Sequence, residues 1–119
     1  MATVLALGLD PAAVDPAEFG GFTPQQVRAF IESQLERVRT AGYDVVNCLV
    51  TADTAATLTE QALKSRHFDC VMIGAGLRAP AQLILFEKLL NLVHALAPDS
   101  KLCFNSKPTD TIDAVRRWA

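Results

Sequence analysis

The chain has 119 residues, of which half are apolar, a fifth are charged and 7% are aromatic. This composition is typical of one folded globular domain, which we expect to span residues 1–119, and it excludes an intrinsically disordered chain. The formal net charge of −2 provides no basic surface for nucleic acid, and no apolar run reaches the ~18–20 residues that cross a bilayer, so neither partner is expected.

Short apolar runs alternate with segments of helical periodicity along the whole chain. In chain order, this pattern predicts a strand at Thr3–Leu9, a helix at Pro24–Ala41, a strand at Tyr43–Thr51, a helix from a cap at Asp53 or Thr54 to about Arg66, a strand at Phe68–Ala75, a helix at Pro80–Ala97, a strand at Lys101–Asn105 and a helix at Thr109–Trp118. The first helix carries the clearest boundary signals: Thr23 is suited to be the N-cap, Gln26 can complete a capping box, and Gly42 ends the helix.

Strands that alternate with helices imply right-handed crossovers and a parallel sheet covered on both faces. We therefore predict an α/β fold: a small doubly wound three-layer sandwich of flavodoxin-like type, with a four-stranded parallel sheet. The strand order 2-1-3-4 is expected because it places helices on both faces of the sheet.

In such a sheet, the residues that follow the carboxyl ends of the strands meet at one rim, where open α/β sheets bind small molecules. The glycine turn GAGLR at residues 74–78 presents an arginine next to backbone N–H groups, an arrangement suited to an anion. We therefore expect this rim to bind a small anionic ligand. The predicted ligand-binding residues at this rim are Asp10, Gly74, Gly76, Arg78, Asn105, Ser106 and Lys107.

The segment GAGLRA at residues 74–79 also has the spacing of the dinucleotide-binding fingerprint GxGxxG/A. However, it follows the third strand instead of the first, Pro80 delays the helix, and no acidic residue for a ribose follows the next strand. We therefore predict no cofactor. Two interpretations of the glycines stay open: a tight turn that requires positive φ, or a loop that binds an anion.

The sequence SKPTDT at residues 106–111 places Lys107 and Pro108 between the last strand and the last helix. This arrangement resembles the receiver domains of bacterial response regulators and the wider flavodoxin-like group, which carry a lysine followed by a proline there. The resemblance implies acidic residues after the first strand, where this chain has Asp10 alone, and a phospho-accepting aspartate at the end of the third strand, where it has Ile73 and Gly74. It therefore implies a receiver-like fold without magnesium-dependent phosphoryl transfer.

The loop Pro11–Thr23 is longer than the ~2–6 residues usual between a strand and a helix. Phe19 and Phe22 flank a Gly-Gly pair, so the loop can act as a mobile aromatic lid over the rim, or it can pack its rings against the sheet edge. We favour packing for at least one of the two rings.

The three cysteines, Cys48, Cys70 and Cys103, each lie in an apolar stretch, and neither their number nor their spacing fits a zinc site or a CxxC motif. We interpret them as reduced core residues of a cytoplasmic protein, since the N-terminus has no signal-peptide pattern. His67 precedes the third strand, and His94 shares a helix face with one carboxylate only, so no metal site is predicted.

The helix predicted at residues 80–97 has an apolar stripe much wider than the ~100° arc that faces one sheet. We expect a second copy of the chain to cover the extra arc, which predicts a homodimer through this helix. The alternative is a helix that the monomer buries completely.

Three functions are compatible with these features. The first is a small non-catalytic binding or regulatory module that holds an anionic ligand at the rim. The second is an enzyme for a small phosphorylated or carboxylated substrate, in which Asp10 is the only candidate acid or base and Arg78 and Lys107 anchor the substrate. The third is a structural domain whose dimerisation or partner-binding surface is the helix at residues 80–97.

Overall fold

The computed structural model describes all 119 residues and contains one four-stranded sheet in which every strand pair is parallel. The strands are β1 (Thr3–Leu9), β2 (Asp44–Val50), β3 (Cys70–Ile73) and β4 (Lys101–Phe104), and their order across the sheet is β2-β1-β3-β4. The helices are α1 (Pro24–Thr40), α2 (Ala55–Ser65), α3 (Leu83–Leu96) and α4 (Thr111–Trp118). The predicted α/β fold, its flavodoxin-like architecture and its strand order are confirmed. None of the helices has the length and apolar character needed to cross a bilayer.

Alternate residues of β1 contribute to two separate cores, one on each face of the sheet. Leu5 and Leu7 pack with α2 and α3, whereas Val4 and Ala6 pack with α1 and α4, and all four are buried. The side-chain period of two in a strand produces this division. Because helices cover both faces, the middle of β1 is apolar throughout, as expected for a central parallel strand.

Two helices begin later than the sequence predicts, because turns that contain proline precede them. The chain forms 3₁₀ turns at Ala75–Arg78 and Pro80–Gln82 before α3, whereas the helix is predicted from residue 80. Ala79 adopts an extended conformation (φ −63°, ψ 149°), which is the region that a following proline favours. A third turn, Pro108–Asp110, delays α4 in the same way.

The boundaries of α1 follow the sequence signals. The Thr23 hydroxyl accepts a hydrogen bond from the Gln26 N–H at 3.1 Å, and the Gln26 side chain accepts one from the Thr23 N–H at 2.9 Å. These two bonds form the predicted capping box. Gly42 lies just beyond the helix at φ 105°, a conformation that favours glycine.

The loop that precedes α1 is built from two further 3₁₀ turns, Pro11–Ala13 and Pro16–Phe19. The aspartate before each turn accepts a hydrogen bond from a backbone N–H inside it. The ring of Phe19 is half-buried and that of Phe22 is 62% exposed, so one of the two rings packs against the protein. The Gly-Gly pair between them adopts left-handed φ values of 58° and 93°.

The wide apolar stripe of α3 is buried mostly within the monomer. Leu85, Leu89 and Val93 lie in the core that α3 forms with α2, and the half-buried apolar residues of α3 pack against the same cluster. Only Leu83 and Ile84, in the first turn, remain 60% and 75% exposed among its large apolar residues. The extra apolar arc therefore does not require a second copy along the whole helix.

The edge strand β4 is covered on one face only. Cys103 is buried in the core beneath α4, whereas Leu102 and Phe104 point to the opposite face and remain 36% and 39% exposed. The ring of Phe86, from α3, meets Phe104 edge-on with 5.9 Å between the ring centroids. The Arg78 guanidinium also lies over the Phe104 ring, so this side of β4 is covered in part.

The cysteines are free thiols placed in the protein interior, as predicted. Cys70 and Cys103 are buried on neighbouring strands with their sulfur atoms 3.1 Å apart, and Cys48 is half-buried on the other face of the sheet. Burial raises the pKa of the Cys48 thiol. The hydrogen bond to Cys70, together with burial, raises the pKa of the Cys103 thiol. A raised pKa lowers the thiolate fraction on which cysteine reactivity depends.

One buried hydroxyl has no hydrogen-bond partner, that of Thr59 in α2. An unsatisfied buried polar group costs about 1–3 kcal/mol, and valine has the same shape without the hydroxyl. We expect Thr59→Val to increase the free energy of unfolding by about 1 kcal/mol, measured by urea denaturation. Thr57→Val, at an exposed position of the same helix, is the matched control and should change stability little. A loss of stability in Thr59→Val alone would contradict the assignment.

Candidate functional site

The residues predicted at the rim divide into two groups. Asp10 lies after β1 and contacts α1, whereas the others lie together after β3 and β4. The second group is held by hydrogen bonds between the two segments that follow those strands. That group contains Gly74, Gly76, Arg78, Asn105, Ser106 and Lys107.

Asp10 is fixed as an ionised cap. Its carboxylate accepts a hydrogen bond from the Ala12 N–H at 3.0 Å and pairs with the Arg28 guanidinium at 2.7 Å. The bond from Ala12, followed by the contact with Arg28, holds the pKa of Asp10 below its usual value. A carboxylate in this state does not donate a proton, and both of these contacts are made by the same oxygen, Oδ1. Arg28 was not among the predicted residues, because its pairing with Asp10 joins positions 18 apart in the chain.

The Arg78 guanidinium ties together the ends of β3 and β4. It donates to the Ile73 carbonyl at 2.5 Å and to the Asn105 carbonyl, and it lies over the Phe104 ring at 5.1 Å from the centroid. Burial lowers the pKa of Arg78 from its usual value. The predicted anion anchor is thus directed towards carbonyl oxygens of its own backbone.

Asn105 connects the segment after β3 to the start of α4. Its side-chain oxygen accepts from the Ala75 N–H at 2.9 Å, and its side-chain nitrogen donates to the Thr111 hydroxyl at 2.9 Å. Thr111 in turn donates to the Pro108 carbonyl at 2.8 Å. Asn105 and Thr111 are both buried, so these bonds satisfy polar groups that water does not reach.

A carboxylate of the chain itself, that of Asp110, binds the backbone N–H groups that were expected to bind an anion. Asp110 accepts hydrogen bonds from the N–H groups of Ser106 at 2.9 Å and Lys107 at 3.2 Å, and from the Ser106 hydroxyl. The Ser106 hydroxyl, followed by these two N–H groups, lowers the pKa of Asp110. Asp110 is not among the predicted ligand-binding residues, although a carboxylate at the third position of a turn commonly accepts from the N–H of the residue before that turn.

The glycines of the GAGLR turn do not adopt left-handed backbone angles. Positive φ occurs only at Gly20, Gly21 and Gly42, and Gly74 has φ −68°. The interpretation of GAGLR as a turn that requires positive φ is therefore wrong. A methyl group at Gly74 would lie 3.4 Å from the Leu7 carbonyl oxygen, and one at Gly76 would lie 3.5 Å from Leu9. Both are ordinary van der Waals contacts with β1, so neither the backbone angles nor the available space requires glycine at these two positions.

A cavity of about 80 Å³ lies below the rim, between α1 and α4 and next to the carboxyl halves of β1 and β3. Strand order reverses between β1 and β3, and this is the position at which open α/β sheets form ligand crevices. Gly74 and Asn105 are the predicted residues that line this cavity. Its polar lining consists of Gln34, Asn47, Asn105 and Thr111.

The rim holds no set of groups for acid–base or metal chemistry. His67 lies at the amino end of the sheet, 3.4 Å from Asp69, and His94 is exposed on α3. No group of three or more histidine, cysteine, aspartate or glutamate side chains is placed to hold a metal ion.

No protein-family model matches this chain, and no curated protein shows significant similarity to it. The flavodoxin-like architecture follows from the coordinates, whereas the resemblance to receiver domains stays a prediction from the sequence.

If Arg78 acts by joining two strand ends, Arg78→Lys should lower the free energy of unfolding by about 1–3 kcal/mol, because an ammonium group cannot reach both carbonyls in a fork. Urea denaturation measures this loss, and Arg116→Lys at an exposed position of α4 is the control. Unchanged stability in Arg78→Lys would contradict the structural role.

Asp110→Ala should lower the free energy of unfolding by about 1 kcal/mol at neutral pH, because the N–H groups of Ser106 and Lys107 and the Ser106 hydroxyl lose their acceptor. The folded-state pKa of Asp110 is below the unfolded value of 3.8, so its contribution is complete above that value and is lost as the pH falls through the folded pKa. The difference between wild type and variant should therefore shrink in acid. Asp113→Ala, in the first turn of α4, is the control for general charge effects. A difference that does not depend on pH would exclude the carboxylate as its cause.

Proposed function

We propose that this chain is a non-catalytic interaction module that associates with a second copy of itself through the open side of its sheet. The observation that carries the proposal is the incompletely covered face of β4. Leu102 and Phe104 on that strand remain exposed next to Phe86 of α3, and Leu83 lies on the same side of α3 one turn before Phe86. We call Leu83, Phe86, Leu102 and Phe104 the open apolar surface.

The chain path explains why this surface is uncovered. The two crossovers that precede β3 and β4 place α2 and α3 on one face of the sheet, where they pack over the core of β1 and β3. After β4 the chain turns to the other face, where α4 packs beside α1. Three of the nine exposed large apolar residues belong to the open apolar surface, which favours this face over the rest of the molecule as a contact site.

A second copy fits the charges beside the open apolar surface. Glu87 and Lys88, one turn after Ile84, are both exposed and of opposite sign. A twofold axis through this part of α3 would set Glu87 of one protomer against Lys88 of its partner, and the contact would then be complementary to itself. A surface of four apolar side chains is small against the ~20–30 residues per side of a standard interface, and we therefore expect a weak dimer with a dissociation constant in the micromolar range or above.

Association is expected between faces of the sheets and not between strand edges. Lys101 donates to the Asp69 carbonyl, so alternate residues of β4 face β3 and the backbone of Leu102 and Phe104 faces outwards. The Arg117 guanidinium donates to the Phe104 carbonyl at 2.9 Å. A charged side chain across an open edge opposes the addition of another strand.

The other two functions have less support from the geometry. Arg78 and the amides of Ser106 and Lys107 bond to groups of the chain itself, which leaves an anion fewer donors than the sequence suggests. Asp10, the only candidate acid or base, is an ionised cap paired with Arg28.

Leu102→Glu should weaken self-association about tenfold or more, because a carboxylate in the contact must be desolvated. Sedimentation velocity from micromolar to near-millimolar protein measures the dissociation constant. Leu58→Glu is the matched control, since Leu58 on α2 is also 36% exposed and lies outside the open apolar surface. A wild-type chain that stays monomeric over this range, or an equal effect of both substitutions, would overturn the proposal.

A further inference from the structure

We propose that the cavity between α1 and α4 is a binding site for a small uncharged molecule that carries both a hydrogen-bond donor and an acceptor, of the class of a primary amide. This site lies on the opposite face of the sheet from the open apolar surface, and the proposal does not rest on self-association.

The size of the cavity limits the ligand. A buried cavity of about 150 Å³ accepts benzene, and pockets for drug-sized ligands measure about 300–1,000 Å³. A cavity of about 80 Å³ corresponds to roughly three to four non-hydrogen atoms on that scale. Nucleotides and sugar phosphates are therefore too large, whereas a two-carbon amide fits.

The charge of the lining selects an uncharged ligand. None of the residues that line the cavity is charged, and half of them are hydrophobic. The two charged side chains that contact the polar lining lie outside it: Arg37 donates to the Gln34 side chain, and Glu32 accepts from the Asn47 side chain. An ion that enters a lining of this kind loses hydration without gaining a partner charge.

Two side chains of the lining have polar atoms without a partner in the protein. The Gln34 side-chain oxygen accepts from Arg37 at 2.7 Å, which leaves the Gln34 side-chain nitrogen as a free donor. The Asn47 side-chain nitrogen donates to Glu32 at 2.9 Å, which leaves the Asn47 side-chain oxygen as a free acceptor. Asn105 and Thr111, by contrast, are bonded to each other and to the backbone. A primary amide supplies the complementary acceptor and donor in one small group.

The small residues of β1 make room for such a ligand. Gly8 lines the cavity, and a methyl group added there would lie 3.0 Å from the end of the Leu49 side chain, which also lines it. The contact is with the terminus of a flexible side chain, so the fold can accommodate the methyl group of Gly8→Ala, which fills part of the cavity. Gly76→Ala is the matched control. Gly76 does not line the cavity, and a methyl group added there would lie 3.5 Å from the Leu9 side chain, an ordinary van der Waals contact.

Three probes of equal size test the proposal: acetamide, acetate and acetamidinium. Each is titrated into the isotope-labelled wild-type chain, and the backbone amide signals of Gly8, Gly74 and Asn105 are followed by NMR. We expect saturable shifts at these positions with acetamide, and at least about tenfold weaker binding of both ions. Gly8→Ala should weaken acetamide binding about tenfold, whereas Gly76→Ala should leave it unchanged.

Three results would overturn the proposal. Acetate that binds as tightly as acetamide would show that the site accepts anions. Absence of saturable shifts with any probe would mean that the cavity holds water only. Equal loss in Gly8→Ala and Gly76→Ala would show that the response is not specific to the cavity. The same titration in Leu102→Glu separates this site from self-association, since its affinity should be the same in that variant.

Discussion

The buried pairing of β1 with a strand on each side is the constraint on which the rest of the structure depends. β1 is in register with β2 over seven residues and with β3 over four, so its backbone bonds are satisfied on both edges while its side chains enter both cores. Because the chain leaves β1 towards one face and leaves β3 towards the other, the crevice at their carboxyl ends is a product of topology. The cavity, the rim and the uncovered side of β4 all follow from the same winding.

The sequence was sufficient to predict the architecture because local signals agreed with it at nearly every element. The unbroken apolar run of β1 indicated a strand covered on both faces, and the capping box of Thr23 and Gln26 marked the start of α1. The misplaced start of α3 has a local cause, the extended Ala79 before Pro80, which favours a 3₁₀ turn where periodicity alone suggests a longer helix. The width of the apolar stripe on α3 suggested a partner along the whole helix for another reason. Periodicity shows how much of a helix is apolar, but it does not show that α2 of the same chain packs beside α3.

The candidate site was predicted less completely, because its contacts join distant parts of the chain. Sequence placed Arg78 and Asn105 at the same rim, but it did not show that the guanidinium would bond to the Asn105 carbonyl, 27 positions away. The partner of Ala75 is 30 positions away. Side-chain direction at such junctions depends on the final packing and has no periodic signal. Asp110 is the exception, since a carboxylate three residues after the residue that precedes a turn, Lys107, is a local pattern that could have been recognised.

The distribution of the three thiols has a consequence for how the stability of this domain can be followed. Cys48 is half-buried on one face of the sheet, while Cys70 and Cys103 touch each other in the core of the other face. A thiol reagent reaches the first through small local openings, but it reaches the other two only when β3 and β4 lose their cover from α4. One labelling time course on the natural sequence therefore reports loosening of one layer and opening of the opposite layer as separate rates, without an introduced cysteine.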